Sequence, residues 1–183
     1  MESQNGNPGL EQLKRFPEIS NFYWLRNLPE NLLQGDGWRG FVAIDFYRKQ
    51  EKVVSGVILS NSCDINSDNP RYHDVKILFA PLIRLSSFAR LVKTSGKTDD
   101  QIATLLDSIR KQLVSFIFYL PEIPSVVEES IVLLDDVHAH PLKDFLNRDR
   151  TRLFTLSNYA FYLFILKLSV HLCRFQEGLS RSA

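Results

Sequence analysis

The residues best suited to chemistry in this 183-residue chain are concentrated in one polar segment, residues 60–69. That segment carries hydroxyl, thiol, amide and carboxylate side chains: Ser60, Asn61, Ser62, Cys63, Asp64, Asn66, Asp68 and Asn69. Asp64 can serve as an acid, a base or a metal ligand, and Cys63 or a serine can serve as a nucleophile. Backbone amides in such a loop can also cradle a phosphate. The alternative is a structural loop, because Asn, Asp and Ser stabilise turns by bonding their own backbone.

A second candidate is the histidine pair His138 and His140 in the segment DDVHAHP. Residues two apart on an extended chain share a face, so both imidazoles can reach one metal ion. A third ligand, such as Asp64, would have to come from elsewhere in the fold, and the three would then suit a metal-dependent hydrolase. Surface histidines before a proline turn are the commoner explanation, so neither a metal nor another cofactor is expected.

A third candidate is the alternation of Arg148, Arg150 and Arg152 in NRDRTR. On an extended segment the three guanidinium groups point the same way and can contact nucleic-acid phosphates. Asp149 lies among them, so a solvated turn is the alternative. The chain has 22 Lys and Arg against 21 Asp and Glu, a net charge of +1. This balance argues against a dedicated polyanion-binding surface but leaves room for a local basic patch.

The polar segment connects two predicted strands. Runs of β-branched and aromatic residues bounded by polar turns predict strands over 40–47, 52–59, 74–80, 114–120 and 130–134, and a last strand or turn over 152–156. The first two form a hairpin, and the third ends at Pro81 because proline cannot donate to a strand ladder. Residues 60–69 then form a polar loop that connects two buried strands, and many functional sites are built in this way.

The clearest helix is predicted over residues 98–113. Its apolar stripe follows the helical period: Ile102, Leu105, Leu106, Ile109 and Leu113. Thr98 and Gln101 fit a capping box at its start. Shorter helical stretches are predicted over 82–92 and 141–146.

A long helix is predicted over residues 157–175, with Ser157 as its N-cap. Residues 159–166 are apolar on every side, so this part is expected to be buried all round, either in the domain core with some dimer contact or against a partner chain. Lys167, His171 and Arg174 are expected to form a solvated face.

The remaining predictions concern the N-terminal region, the number of domains and the cellular location. Residues 1–9 are expected to be disordered, 10–19 to form a short helix, and 20–39 an irregular lead-in rich in aromatic side chains. Residues 10–183 are read as one domain. With no signal-peptide core, no apolar run long enough to span a membrane, and only two cysteines, the protein is expected to be cytoplasmic and not membrane-associated.

The segment GVILSNSCDIN, a hydrophilic gap and VKILFAPLIRL together resemble the centre of the PemK/MazF-like toxin family. In that family a strand ending in a VLSN-type turn is followed by a loop and a V-x-V-A-P-I strand. The resemblance implies a small SH3-like barrel that cuts RNA, usually as a dimer. The family's arginine–proline strand entry has no counterpart here, so no catalytic arginine is carried over.

Together these observations predict an α+β fold with a small, strongly curved SH3-like β-sheet or barrel, a helical insertion at 98–113 and a C-terminal helix at 157–175. The predicted function is metal-independent RNA cleavage within a prokaryotic toxin or defence system. Ser60, Asn61 and Asp64 would form the site, with Arg39 or Arg84 stabilising the phosphorane charge.

The alternative is a non-catalytic interaction module of a multiprotein complex. Such a module would dock through the aromatic lead-in, residues 22–38, and through the terminal helix. Its partner would be another protein or a second copy of the chain.

Overall fold

The computed structural model describes residues 22–24, 30–45, 47–66, 68–69 and 71–173. The predictions of disorder at 1–9 and of a helix at 10–19 lie outside these residues. The strands found in the described part are β1 Tyr23–Trp24, β2 Gly37–Asp45, β3 Gln50–Ile58, β4 Lys76–Arg84, β5 Ile117–Leu120, β6 Ser130–Leu133, β7 His138–Pro141 and β8 Thr151–Leu156. The helices are α1 Leu85–Thr94, α2 Asp99–Arg110, α3 Leu142–Asn147 and α4 Asn158–Leu172.

The strands form one antiparallel sheet in the order β1-β8-β2-β3-β4-β6-β5, with β7 paired to β4 outside this path. The predicted β2–β3 hairpin is confirmed by a register that runs from Gly37 opposite Val57 to Asp45 opposite Gln50. Among the described strands no pairing joins β1 to β5, the two ends of this order. The α+β class is therefore confirmed, and closure of the sheet into a barrel is not.

Strand β4 does not end at Pro81, as the sequence predicted, but continues to Arg84. One edge of β4 is shared by two partners: β7 pairs from Lys76 to Phe79, and β6 pairs from Leu82 to Arg84. Pro81 lies between these two pairings, where the ladder changes partner. A proline at that position interrupts neither pairing, which is why the strand tolerates it.

Helix α2 confirms the capping box. The Thr98 side chain accepts from the Gln101 backbone N–H, and the Gln101 side chain accepts from the Thr98 backbone N–H. Ile102 and Ile109 of its apolar stripe are buried. The short strand β7, by contrast, was not predicted, because HAHP has neither the length nor the composition of a typical strand.

The sheet separates two hydrophobic clusters. One face packs Phe41 between the rings of Phe79 and Phe145, with ring centroids 4.2 and 4.5 Å apart and interplanar angles of 8° and 11°. The other face packs against α4 through buried side chains that include Val57, Phe118, Phe154 and Phe164. Phe22, Tyr23 and Trp38 of the aromatic lead-in are themselves buried, so these side chains do not form the exposed docking surface that the sequence suggested.

Helix α4 corrects one prediction and leaves part of another open. Tyr162 is 71% exposed and Leu166 58% exposed, so this helix is not buried all round within its own chain, and burial against a partner chain stays a prediction. Lys167, expected on a solvated face, is only 7% exposed and lies beneath the helix. Helix α4 therefore packs by one side only, and apolar residues cover both sides. None of the helices in the described ranges is long and apolar enough to cross a membrane.

Candidate functional site

Two of the predicted site residues, Arg39 and Arg84, line the same surface cleft of about 390 Å³. Arg39 belongs to β2 and Arg84 to the end of β4, and both side chains are exposed. The other polar side chains of the cleft are Ser55, Ser125, Ser130, Glu122 and Glu128. Its apolar lining is Leu82, Ile123, Val126, Val127 and Leu153. The cleft thus combines two cations, two carboxylates, three hydroxyl groups and an apolar wall.

A β-bulge aims Arg39 into the cleft. The pairing of β2 with β3 shifts between Arg39, which faces Ser55, and Phe41, which faces Val54. Gly40 is the extra residue, with φ of +112°, and a Cβ there would meet the Asp149 carbonyl oxygen at 2.7 Å. Because of this bulge Trp38 and Phe41 both enter the same hydrophobic cluster, although they are three apart in a strand. Arg39 is left on the opposite face, beside Ser55.

Arg84 is held at the junction between β4 and α1. It lies opposite Ser130 in the β4–β6 pairing, and the Leu85 backbone N–H that follows donates to the Glu129 carbonyl oxygen at 2.8 Å. The Arg84 Nε lies 3.4 Å from Glu128 Oε1, and both side chains are 64% exposed. An ion pair this exposed contributes only about 0.2–1 kcal/mol, so it can open for another anion.

The polar segment 60–69 lies elsewhere. Ser60 is five residues beyond Ser55 of the cleft, which is roughly 16 Å along an extended chain. The Ser60 hydroxyl accepts from the Leu78 backbone N–H at 2.7 Å. The Asn61 side chain accepts from the Cys63 backbone N–H at 2.9 Å, and Asp64 accepts from Arg71. The structure therefore does not bring Ser60, Asn61 and Asp64 together with Arg39 and Arg84.

The histidines have separate partners. His140 is 2% exposed, and its Nδ1 accepts from the Val42 backbone N–H at 3.1 Å. Its Nε2 therefore carries the proton and donates to Asp144 Oδ2 at 2.6 Å. His138 pairs with Asp136 at 3.0 Å. No group of three His, Cys, Asp or Glu side chains in the described ranges is placed to hold a metal ion. The proposed combination of Asp64 with both histidines is not assembled.

The three alternating arginines are all engaged within the protein. Arg148 donates to Asp144 at 2.6 Å, and Arg150 donates to the Phe145 carbonyl oxygen at 3.2 Å. Arg152 donates to the Asn31 carbonyl oxygen at 2.6 Å and lies 4.7 Å from the centre of the Trp38 ring. These contacts position β8 and α3. Nucleic-acid binding by these arginines stays a prediction.

Two buried charged groups support the scaffold rather than the cleft. Asp36 is fully buried with its carboxylate 3.3 Å from the Arg152 Nε, and burial raises the pKa of Asp36 while Thr155 and Arg152 oppose that rise. The Lys167 ammonium donates to the carbonyl oxygens of Gln112 and Ile117, and burial lowers the pKa of Lys167 to about 8. Lys167 thereby ties α4 to the junction of α2 and β5.

Sequence reasoning missed five polar residues of the cleft: Ser55, Glu122, Ser125, Glu128 and Ser130. Each is an ordinary residue in its local segment, and no motif marks it. The pattern around Glu122, however, contains a signal in Pro121 and Pro124, and Pro124 begins the tight turn over 124–126. What makes these residues a set is the pairing of β4 with β3 and β6, which is a tertiary property.

Comparison with known proteins leaves the family open. No family model matches the chain, and no curated protein matches it. Among solved structures, an endoribonuclease from a mycobacterial species aligns with 82% of this chain and 100% of its own. The alignment has a TM-score of 0.40 and 13% sequence identity. A likeness of this degree carries no argument about function, which has to come from the geometry of the cleft.

Proposed function

We propose that this protein binds single-stranded RNA in the cleft between Arg39 and Arg84 and cleaves it without a metal ion, as a PemK/MazF-like component of a toxin or defence system. One observation carries the proposal. Arg39 is an exposed guanidinium that faces a cleft and has no hydrogen bond or ion pair with any other described residue. A cation left free beside a second, weakly paired arginine suits a doubly contacted phosphate.

Arginines matter in this reaction because of where charge develops. In metal-independent RNA cleavage the 2′-hydroxyl attacks the adjacent phosphorus, and the bond from phosphorus to the 5′-oxygen breaks. Negative charge builds on the non-bridging oxygens during this step, and Arg39 and Arg84 would stabilise it. The 2′ proton needs an acceptor, and the Glu128 carboxylate beside Arg84 is suited to take it.

The two arginines come from the set predicted from sequence, and the cleft replaces the loop as the place of reaction. Ser60, Asn61 and Asp64 already have hydrogen-bond partners near their own segment. They are therefore assigned here to the stability of the loop. The RNA contacts predicted for Arg148, Arg150 and Arg152 would require these side chains to leave their present partners.

The test is cleavage of a labelled single-stranded RNA in the presence of a chelator. The wild-type protein should cleave it, and Arg39→Ala should lower the rate by about 100-fold or more. Arg71→Ala is the matched control, because it also removes an arginine side chain, one that pairs with Asp64 of the polar segment. This variant should leave the rate within about twofold. Three outcomes would each contradict the proposal. They are equal activity of Arg39→Ala and wild type, no cleavage at all, and cleavage abolished by the chelator.

A second candidate function, docking of a protein partner, is favoured by the exposed side of α4. Tyr162, Leu166 and Val170 are 71%, 58% and 50% exposed and lie on one face of the helix. They are spaced as an apolar stripe that would suit an interface. Light scattering during size exclusion, with and without Leu166→Glu, tests self-association through this face. A monomer in both cases would leave docking to a different protein.

A further inference from the structure

We propose that Glu122 reads the base beside the bound phosphate and favours bases that present hydrogen-bond donors, guanine above all. This inference rests on the proposed function, since it assigns a substrate preference to the same cleft. It starts from the negative charge of Glu122, which phosphate binding alone does not explain. Glu122 lines the cleft with Arg39 and Arg84, it is exposed, and no described residue pairs with it.

The two carboxylates of the cleft are in different situations. Glu128 has a cationic partner in Arg84 at 3.4 Å, whereas no described residue pairs with Glu122. Glu122 keeps its charge unbalanced beside a site proposed for a polyanion, where it would repel phosphate. A ligand that donates a hydrogen bond to Glu122 would offset that repulsion, because an ionised carboxylate can only accept.

The backbone around Glu122 is fixed on both sides. The Pro121 carbonyl oxygen accepts from the buried Tyr23 hydroxyl at 2.7 Å. After Glu122, the Ile123 backbone N–H donates to the Val127 carbonyl oxygen at 2.8 Å, and the Val127 N–H donates back at 3.0 Å. The carboxylate thus stands between two hydrogen-bonded neighbours, Pro121 and Ile123, as suits a specificity-determining group.

The size and the lining of the cleft fit one nucleotide. A volume of about 390 Å³ lies at the lower end of the range for small-ligand sites. Ile123, Val126 and Val127 give it an apolar wall next to Glu122. A flat base can pack on such a wall only when it has left a stack, so the ligand would be single-stranded.

The donor pattern of the bases decides the preference. Guanine presents two adjacent N–H donors on its Watson–Crick edge, which match the two oxygens of a carboxylate. Cytosine and adenine present one amino group. Uracil presents a single N–H between two carbonyl oxygens, and both oxygens repel a carboxylate. The expected order is guanine first and uracil last.

The experiment measures binding of labelled five-nucleotide RNAs, UUXUU, by fluorescence anisotropy at one salt concentration. X is guanine, adenine, cytosine or uracil, and every sugar is 2′-fluoro so that no 2′-hydroxyl is present and no linkage is cleaved. Wild type should bind the guanine oligomer roughly tenfold more tightly than the uracil oligomer. Glu122→Gln should reduce this ratio to about twofold or less without weakening the uracil oligomer.

Glu51→Gln is the matched control, because Glu51 is an exposed residue of β3 that does not line the cleft. It removes the same charge, so it should leave the ratio unchanged. A ratio retained in Glu122→Gln, or equal binding of all four oligomers by wild type, overturns the base-reading role. The proposed function would still stand if Arg39→Ala abolished that equal binding. Binding of none of the oligomers would overturn both proposals.

Discussion

The cleft around Arg39 and the polar segment 60–69 both carry many polar side chains, but they use them differently. In the segment, the side chains of Ser60, Asn61 and Asp64 each hold a partner near their own loop. In the cleft, Arg39 has no partner among the described residues, and Arg84 has one weak, exposed ion pair. The cleft therefore keeps the Arg39 guanidinium unpaired for a ligand, whereas Ser60, Asn61 and Asp64 each already hold a partner within the protein.

The difference follows from chain distance. Polar residues that are close in sequence reach each other in a tight loop and satisfy one another. The cleft residues come from β2, β3, β4, β6, β8 and the turn between β5 and β6. The sheet places them around a common space, where the described structure pairs Arg84 with Glu128 and leaves the side chains of Arg39 and Glu122 without a partner. A dense cluster in sequence is thus a weaker sign of function than a convergence in space.

The largest effect that would separate the two regions is on RNA cleavage. Arg39→Ala should lower the rate by about 100-fold or more, while Asp64→Ala should leave it within about twofold. Arg39 is exposed, so its loss should barely change the melting temperature, which circular dichroism can check. A loss of cleavage in Asp64→Ala at unchanged stability would return the site to the polar segment.

The next largest effect concerns the bulge that aims Arg39. Gly40→Ala should lower the free energy of unfolding by about 2 kcal/mol, because φ of +112° disfavours a side chain and the new Cβ meets the Asp149 carbonyl oxygen. Urea denaturation measures the change. Gly96→Ala is the control, since Gly96 also has a positive φ, of +86°, but nothing lies within 4 Å of a Cβ there. A similar loss in both variants would show that the close contact at Gly40 is unimportant.

A smaller effect is a pH dependence of the free energy of unfolding, caused by the buried Lys167. Lys167 holds the start of β5, which leads to Glu122, and burial lowers the pKa of Lys167 to about 8 from the ordinary 10.5. Between these two pH values the unfolded chain binds more protons than the folded one. The free energy of unfolding should therefore rise with pH there, by about 1 kcal/mol between pH 7 and pH 9.

Urea denaturation at pH 7, 8 and 9 measures this rise, with Lys167→Met as the comparison. The variant has no ammonium to titrate, so its stability should lack this rise. Parallel pH profiles for both proteins would mean that Lys167 keeps its charge throughout this range.

The smallest effect belongs to the polar segment. Ser60→Ala removes the acceptor of the Leu78 backbone N–H, but Leu78 is 43% exposed and water can replace the hydroxyl. The expected loss of stability is about 0.5 kcal/mol, with RNA cleavage unchanged. Thermal unfolding and the cleavage assay together check this. Normal stability with lost cleavage would assign Ser60 a chemical role after all.

Much of the secondary structure could be predicted from local sequence. The strands β2, β3 and β4 and helix α2, with its capping box, lie within a few residues of their predicted positions. These elements have strong periodicity or clear caps, which are local properties. The predictions failed where local signals were weak or misleading: at Pro81, at β7 and along α4. There, pairing partners and packing decided the outcome.

The candidate site was only half predictable. Arg39 and Arg84 were named because a cleavage reaction needs a cation, not because a pattern joined them. Glu122 and Glu128 went unrecognised, since nothing in a single segment marks a carboxylate that will face an arginine from another strand. The polar segment was overvalued for the opposite reason, because its residues are conspicuous together in the sequence.

The amino-acid sequence by itself determined the α+β class, the positions of most strands and helices, and the existence of a polar turn between β3 and β4. Only the tertiary structure decided which polar groups remain free. A bulge at Gly40 turned Arg39 away from the Phe41 cluster, and the change of partner along β4 carried Arg84 to the same cleft. The physical reason is that periodicity and caps act over a few residues, while strand pairing and burial act between residues far apart in the chain.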